Sequence, residues 1–142
     1  MAHPEKIYSW RKRWLKSPNG KRWLQGYRKK YAAQNKEALQ ANAKRDRDKL
    51  RLDVLTAYSN GTLACACCGE PRLQFLTIDH IAGNGGQERK AGGHRGGVAQ
   101  YRALRRAGFP GGYRVLCWNC NCAIAIYGVC PHEAEMVEAV NR

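Results

Sequence analysis

Two cysteine pairs constrain the fold of this chain more than any other feature of its sequence. Cys65 and Cys68 form one Cys-x-x-Cys pair, and Cys117 and Cys120 form a second. The two intervening residues allow both thiolates of a pair to face one ion, and two pairs complete a tetrahedral site. Because four thiolates leave no open position, the sequence predicts a structural zinc that contributes folding free energy.

The other three cysteines leave alternatives open. Cys67 could replace a member of the first pair, although its spacing is less usual. Cys122 and Cys130 are expected to pack as small apolar side chains, but the run Cys130-Pro131-His132 could assist a second metal site. The odd total of seven cysteines and the lack of an apolar signal region argue against disulfides. We therefore expect an intracellular, cytoplasmic protein.

Positive charge is concentrated in the first part of the chain. The formal net charge is +14; residues 1–58 carry 16 Lys/Arg and 5 Asp/Glu, whereas residues 59–142 carry 9 and 6. Such an excess predicts a polyanionic partner, and nucleic acid is the usual one. No stretch approaches the roughly 18 apolar residues of a membrane span, so no membrane partner is expected. We divide the chain into a basic helical DNA-binding arm, 1–58, and a zinc-bound domain, 59–142.

The arm is predicted to be helical. A turn at Ser17-Pro18-Asn19-Gly20 interrupts short basic helices within residues 1–31, and residues 32–58 predict one long helix that stops at Asn60-Gly61. The arm's cations are expected to bind phosphates: Arg11, Lys12, Arg13, Lys21, Arg22, Arg28, Lys29 and Lys30. Its aromatic side chains either stack on bases or pack against one another: Trp10, Trp14, Trp23, Tyr27 and Tyr31.

The zinc-bound domain is predicted to be α+β. Alternating apolar residues predict short strands over 73–78 and 113–116, and apolar spacing predicts short helices over 98–107 and from 121 to 127. The glycine-rich, basic stretch 83–97 predicts a mobile loop. Strands and helices of this size describe a small domain for which a metal ion would supplement a limited core.

Three polar residues lie next to the cysteine pairs. Asp79-His80 follows the first predicted strand, and Asn121 directly follows the fourth zinc cysteine. A cysteine pair that joins a strand end to a helix start positions Asn121 in the first turn of that helix. One zinc that also holds the hairpin would bring the three side chains together. An imidazole can take a proton from water near neutral pH, and carboxylate and amide oxygens suit Mg²⁺. The residue types therefore suit phosphodiester hydrolysis.

The ordered motif resembles the HNH endonucleases. It reads Cys65-x-x-Cys68-Gly69, then Leu76-Thr77-Ile78-Asp79-His80, then Val115-Leu116-Cys117-x-x-Cys120-Asn121. The resemblance covers about residues 62–132. Within the family, the motif is most similar to the phage recombination endonuclease VII type and related phage-borne HNH proteins. It implies a metal-dependent DNA endonuclease with a treble-clef zinc scaffold and a ββα-metal (His-Me finger) site. Its substrate would be double-stranded or branched DNA, in the host cytoplasm if a phage encodes the chain.

The resemblance also assigns roles to individual residues. His80 would be the general base, Asp79 and Asn121 would hold a catalytic Mg²⁺ or Mn²⁺, and the four paired cysteines would hold structural zinc. Many HNH proteins carry an asparagine shortly before the third cysteine, where it orients the base. Here that stretch, residues 111–114, has no asparagine, so we expect a backbone carbonyl to orient His80. Asn119 has the wrong register for a metal ligand.

Basic residues near the predicted site extend the expected nucleic-acid contact. They are His94, Arg95, Arg102, Arg105 and Arg106. His94 could contact phosphate or act as a second catalytic histidine, but a solvated loop histidine is an equally good interpretation. The sequence is compatible with a homodimer and leaves nicking and double-strand cutting open.

Two other function classes fit part of the sequence. A non-catalytic, zinc-dependent nucleic-acid-binding protein would explain the cysteines and the charge, but not the positions of Asp79, His80 and Asn121. A structural RNA-binding protein would explain the basic arm and leave the glycine-rich stretch without a role.

Overall fold

Residues 4–92 and 96–133 are described by the computed structural model of the chain. The chain divides into two units, Met1–Arg45 and Asp46–Arg142. The boundary lies inside the third helix, whereas our division of the sequence places it after residue 58. The second half of that helix therefore belongs to the same unit as the cysteines.

The first unit is helical. It contains α1 (Pro4–Lys16), α2 (Pro18–Gln34) and the start of α3 (Lys36–Tyr58). The predicted interruption is a break at Ser17, whose hydroxyl caps α2 by accepting the Gly20 N–H at 3.1 Å. A methyl group at Gly20 would lie 2.0 Å from the Trp14 carbonyl oxygen, so the packing of α1 on α2 requires glycine there. The break between α2 and α3 falls at Asn35, so α2 is longer than predicted.

The second half of α3 supplies the apolar stripe of the second unit. Leu50, Val54 and Leu55 are buried in its core. Arg51 ties this helix to the sheet, because its Nη2 donates to the carbonyls of Leu73 and Leu76, each at 2.8 Å. The helix ends at the predicted Asn60-Gly61 stop, where both residues have positive φ.

The sheet has two antiparallel strands. A single 3-10 turn, Leu73–Phe75, leads into β1 (Leu76–His80), which pairs with β2 (Tyr113–Cys117). The register runs from Leu76 opposite Cys117 to His80 opposite Tyr113. The first predicted strand therefore begins three residues later than expected and includes Asp79 and His80.

Further helices of the second unit are α4 (Gly85–Gly92), α5 (Val98–Arg106) and α6 (Trp118–Tyr127). The prediction of a mobile loop is wrong for residues 85–92. Gln87-Glu88-Arg89-Lys90-Ala91 is a run of good helix formers, and the Asn84 carbonyl accepts the N–H groups of Gln87 and Glu88 at 2.9 and 3.1 Å. The helix was not predicted because the flanking glycines are typical of a loop.

The described residues thus form an α+β protein, as predicted. Helix α6 follows β2 directly and packs on both strands. It begins at Trp118, three residues before the predicted start. In the ranges that the structure describes, none of the helices is long and apolar enough to cross a bilayer.

Candidate metal centre and adjoining cavity

The first cysteine pair lies in a tight loop attached to the sheet. The Cys65 N–H donates to the Glu70 carbonyl and the Gly69 N–H donates to the Cys65 carbonyl, each at 3.0 Å. Gly69 has φ +75°, a conformation that favours glycine. The Ala66 N–H donates to the Val115 carbonyl at 2.9 Å. These bonds hold the loop beside the end of β2.

The second cysteine pair joins β2 to α6, as the sequence predicts. Cys117 is the last residue of β2 and caps α6, since its Sγ accepts the Cys120 N–H at 3.5 Å. The sulfurs of Cys68 and Cys117 lie 3.7 Å apart. All four sulfurs, those of Cys65, Cys68, Cys117 and Cys120, lie within 4.8 Å of one another. This cluster could hold a metal ion such as zinc.

A second group of donors shares a residue with the first. Cys67, Cys120, Cys130 and His132 also place one donor atom each within 4.8 Å of the others. Nδ1 of His132 lies 3.3 Å from the Cys130 sulfur and 3.5 Å from the Cys120 sulfur. Cys130 is buried, as expected for a packed side chain. Cys122 is exposed, so the expectation that it packs as a small apolar residue is wrong.

The crowded thiols differ in proton affinity. Burial raises the pKa of Cys65, but the backbone N–H groups of Cys68, Cys117 and Cys67 outweigh it and lower that pKa to about 7. Burial and the neighbouring Cys130 side chain raise the pKa of Cys67 to about 11. A thiolate is the form that binds metal, and the lowered pKa of Cys65 favours that form.

The residues predicted for catalysis line one cavity of about 610 Å³. Asp79 and His80 reach it from the end of β1, and Asn121 reaches it from the first turn of α6. Asp79 lies opposite Arg114 in the sheet register, and its Oδ2 is 2.8 Å from the Arg114 Nε. Asn119 lines a different cavity.

Side chains, not a backbone carbonyl, are the ring partners of His80 in the part of the chain that the structure describes. Its Nε2 lies 3.0 Å from Oε2 of Glu88 and 3.4 Å from Nε2 of Gln100. Tyr113 packs against the imidazole, with ring centroids 4.9 Å apart, and donates its hydroxyl proton to Glu88. The expectation of a carbonyl partner is therefore wrong. Glu88 was missed because α4 was predicted to be a loop.

Gly85 provides clearance on the other side of the imidazole. A methyl group at this position would lie 2.6 Å from Nδ1 of His80. A methyl group at the neighbouring Gly86 would meet no atom within 4 Å among the described residues. Both glycines line the cavity, and the absence of a side chain at Gly85 lets its backbone lie close to the imidazole of His80.

The Glu88 carboxylate also affects Tyr113. Burial, followed by the hydrogen bond to Glu88, raises the pKa of Tyr113 to about 12. Both causes favour the neutral phenol, because an ionised one would be poorly solvated and would face a carboxylate. Tyr113 therefore stays a hydrogen-bond donor at neutral pH.

The predicted phosphate-binding residues of α5 are exposed: Arg102, Arg105 and Arg106. Nη1 of Arg105 lies 3.5 Å from the Asp53 carboxylate, so its charge is partly balanced. The eight predicted phosphate-binding residues of the arm, from Arg11 to Lys30, are also exposed. His94 and Arg95 lie outside the described residues.

The arm's aromatic residues pack ring against ring, with an edge-on contact between Trp14 and Trp23 and stacked contacts in the other pairs. Successive ring centroids lie 6.4 Å apart for Trp10 and Trp14, 5.7 Å for Trp14 and Trp23, 5.5 Å for Trp23 and Tyr27, and 6.3 Å for Tyr27 and Tyr31. The exposed fractions of three of these residues are about one half: 52% for Trp23, 53% for Tyr27 and 48% for Tyr31. The ladder thus combines packing within the arm with a free aromatic surface.

No family model, curated protein or solved structure matches this chain.

Proposed function

We propose that this chain is a metal-dependent DNA endonuclease of the HNH type that hydrolyses phosphodiester bonds. The observation that carries the proposal is the shared cavity of Asp79, His80 and Asn121. An imidazole, a carboxylate and an amide at one cavity are the groups needed to activate water and hold a hard cation. The ring contacts of His80 and the clearance beside it add support.

His80 is the proposed general base. When its Nε2–H donates to Glu88, the neutral imidazole carries its lone pair on Nδ1. This is the nitrogen beside Gly85, where no side chain intervenes. Nδ1 takes a proton from water as the water oxygen bonds to phosphorus and the bond from phosphorus to the leaving oxygen breaks. Glu88 then stabilises the imidazolium that forms.

The residues at the cavity fit a divalent cation. Asp79 and Asn121 offer hard oxygen donors, and the ion pair with Arg114 uses only one of the two carboxylate oxygens of Asp79. These two residues would hold Mg²⁺ or Mn²⁺, with the remaining positions left to water and phosphate. The cation would supply positive charge that stabilises the scissile phosphate and the leaving oxygen.

The cysteines have a structural role in this proposal. Cys65, Cys68, Cys117 and Cys120 would bind zinc with no position left for substrate. Cys117 and Cys120 lie at the junction of β2 and α6, and Cys120 directly precedes Asn121. A zinc ion there would hold the strand end and the helix start in the arrangement that the cavity needs, as in a treble clef.

DNA binding is assigned to the exposed cations of the arm. Lys and Arg side chains neutralise phosphates and release counterions without reading sequence. The exposed face of the aromatic ladder would accept unstacked bases, as at a branch or in a single strand. These features also favour the alternative, a non-catalytic zinc-dependent nucleic-acid-binding protein, because they would bind DNA whether or not the cavity performs chemistry.

A nicking assay separates the two functions. Supercoiled plasmid is incubated with the full chain and Mg²⁺ or Mn²⁺, comparing wild type with His80→Ala and Asn121→Ala. We expect each substitution to slow nicking by about 100-fold or more. Asn119→Ala is the matched control, since it lies on the same helix but lines another cavity, and it should nick like wild type.

Either of two results would reject the enzyme. Equal nicking by wild type and His80→Ala would exclude His80 as the base. DNA binding by folded wild type, without nicking in either metal, would favour the non-catalytic protein.

A further inference from the structure

We propose that the cysteine cluster binds two zinc ions that share the thiolate of Cys120. The four-cysteine zinc assigned above is one of them. The second would be held by Cys67, Cys130 and His132 together with Cys120, which belongs to both groups of donors. The inference goes beyond the proposed function, because a second ion is not required for hydrolysis.

The spacing of the donors fits tetrahedral coordination in both groups. For zinc–sulfur distances of about 2.3 Å and zinc–nitrogen distances of about 2.0 Å, neighbouring ligands lie roughly 3.5–3.8 Å apart. The observed separations are 3.7 Å between the Cys68 and Cys117 sulfurs, and 3.3 and 3.5 Å from the His132 Nδ1 to its two sulfurs. These separations lie within about 0.2 Å of that range in both groups.

Sharing follows from the number of donors. The two groups contain seven side chains in total, whereas two separate tetrahedral ions would need about eight ligands. If each ion is held by four protein ligands, one ligand serves both ions, and Cys120 is the residue common to the two groups. Its side chain is fully buried at 0% exposure, at the centre of the cluster. A thiolate has several lone pairs and can bind two cations.

Charge balance is compatible with a second ion. The ion adds two positive charges, and Cys67 and Cys130 each lose one proton to solvent on binding it, while His132 binds as a neutral imidazole. The net charge of the cluster therefore does not change. Without the second ion, Cys130 would be a buried thiol whose nearest polar contact is a histidine.

The second ion would attach the segment after α6 to the first turn of that helix. Gly128 ends α6 with φ +78° and turns the chain back, so that Cys130 and His132 approach Cys120. Cys120 directly precedes Asn121. The ion would thus hold the segment after α6 against the start of that helix.

The first test is zinc stoichiometry on the full chain under reducing conditions. Native mass spectrometry and elemental analysis should give two zinc ions per wild-type chain. Cys130→Ser and His132→Ala should each lower the value to one while the second unit stays folded. Cys122→Ser is the matched control, because Cys122 is exposed and lies in neither group among the described residues, and it should retain two.

The second test needs no variant. The wild-type chain is loaded with ¹¹³Cd in place of zinc, and a shared sulfur should give two cadmium resonances coupled to each other. A single zinc per wild-type chain, or two uncoupled cadmium resonances, would overturn the shared cluster. If the wild-type chain binds one zinc and Cys68→Ser binds none, the four-cysteine site and the proposed nuclease still stand, and only the second site is rejected. A folded wild type with no zinc would overturn both sites.

Discussion

The two units of this chain bury their residues in different ways. Among residues 9–45, only Gly20 is buried, and aromatic rings stack on a largely exposed surface. In the second unit, apolar side chains from α3, the sheet and α5 surround Cys65, Cys117, Cys120 and Cys130. Thiols form part of the only substantial core among the described residues, so the second unit should depend on metal. The first unit depends on helix formation and stacking.

Metal removal should separate the units most clearly. Chelation under reducing conditions is expected to unfold the second unit. Its small core would lose the free energy of metal binding and would retain buried thiols without a metal ion. Hydrogen exchange should show loss of amide protection in β1, β2 and α6, with little change in α2. Unchanged protection and circular dichroism in a metal-free sample would contradict the dependence on zinc.

Catalysis should depend on residues of the second unit. Gly85→Ala places a methyl group against the His80 imidazole and is expected to slow nicking roughly ten- to a hundredfold by displacing the base. DNA affinity should not change, because the substitution leaves the arm intact. Gly86→Ala is the control, with open space at the added carbon; equal losses in the two variants would show that helix α4, not clearance at His80, is responsible.

The first unit should carry affinity without catalysis. Replacing Arg28, Lys29 and Lys30 by glutamine is expected to weaken DNA binding roughly tenfold and to lower the salt slope by about 0.9 for each phosphate that the arm no longer neutralises. Nicking at saturating protein should be unchanged. The control removes the same charge from α3 at Lys36, Lys44 and Arg45. An equal loss of affinity in the control would indicate a general charge effect instead of a defined surface.

The smallest expected effect concerns Tyr113. Ultraviolet absorbance should detect a tyrosine that ionises near pH 12, Tyr113, besides Tyr58 and Tyr101, whose pKa values burial also raises. Because the raised pKa belongs to the folded state, its contribution to stability is complete below pH 10 and is lost as pH rises through about 12. Glu88→Gln should lower this pKa, since the hydrogen-bonded carboxylate is removed. An unchanged titration would mean that the contact with Glu88 is absent in solution.

Local sequence signals predicted many of the elements. The apolar spacing of residues 98–107 predicted α5, and Asn60-Gly61 predicted the end of α3. The first strand was displaced by a few residues because its predicted first residues form a 3-10 turn. Helix α4 was missed, since glycines at both ends outweighed the helix formers between them. That error concealed Glu88, the main polar partner of His80.

The amino-acid sequence alone determined the α+β class, the paired cysteines, the basic arm and the candidates Asp79, His80 and Asn121, because these depend on residue type and short-range spacing. Only the tertiary structure decided which distant side chains meet. The approach of Glu88 to His80 requires α4 to fold back on the sheet, and the approach of His132 to Cys120 requires the turn at Gly128. Such contacts depend on how whole elements pack, which a local pattern does not encode.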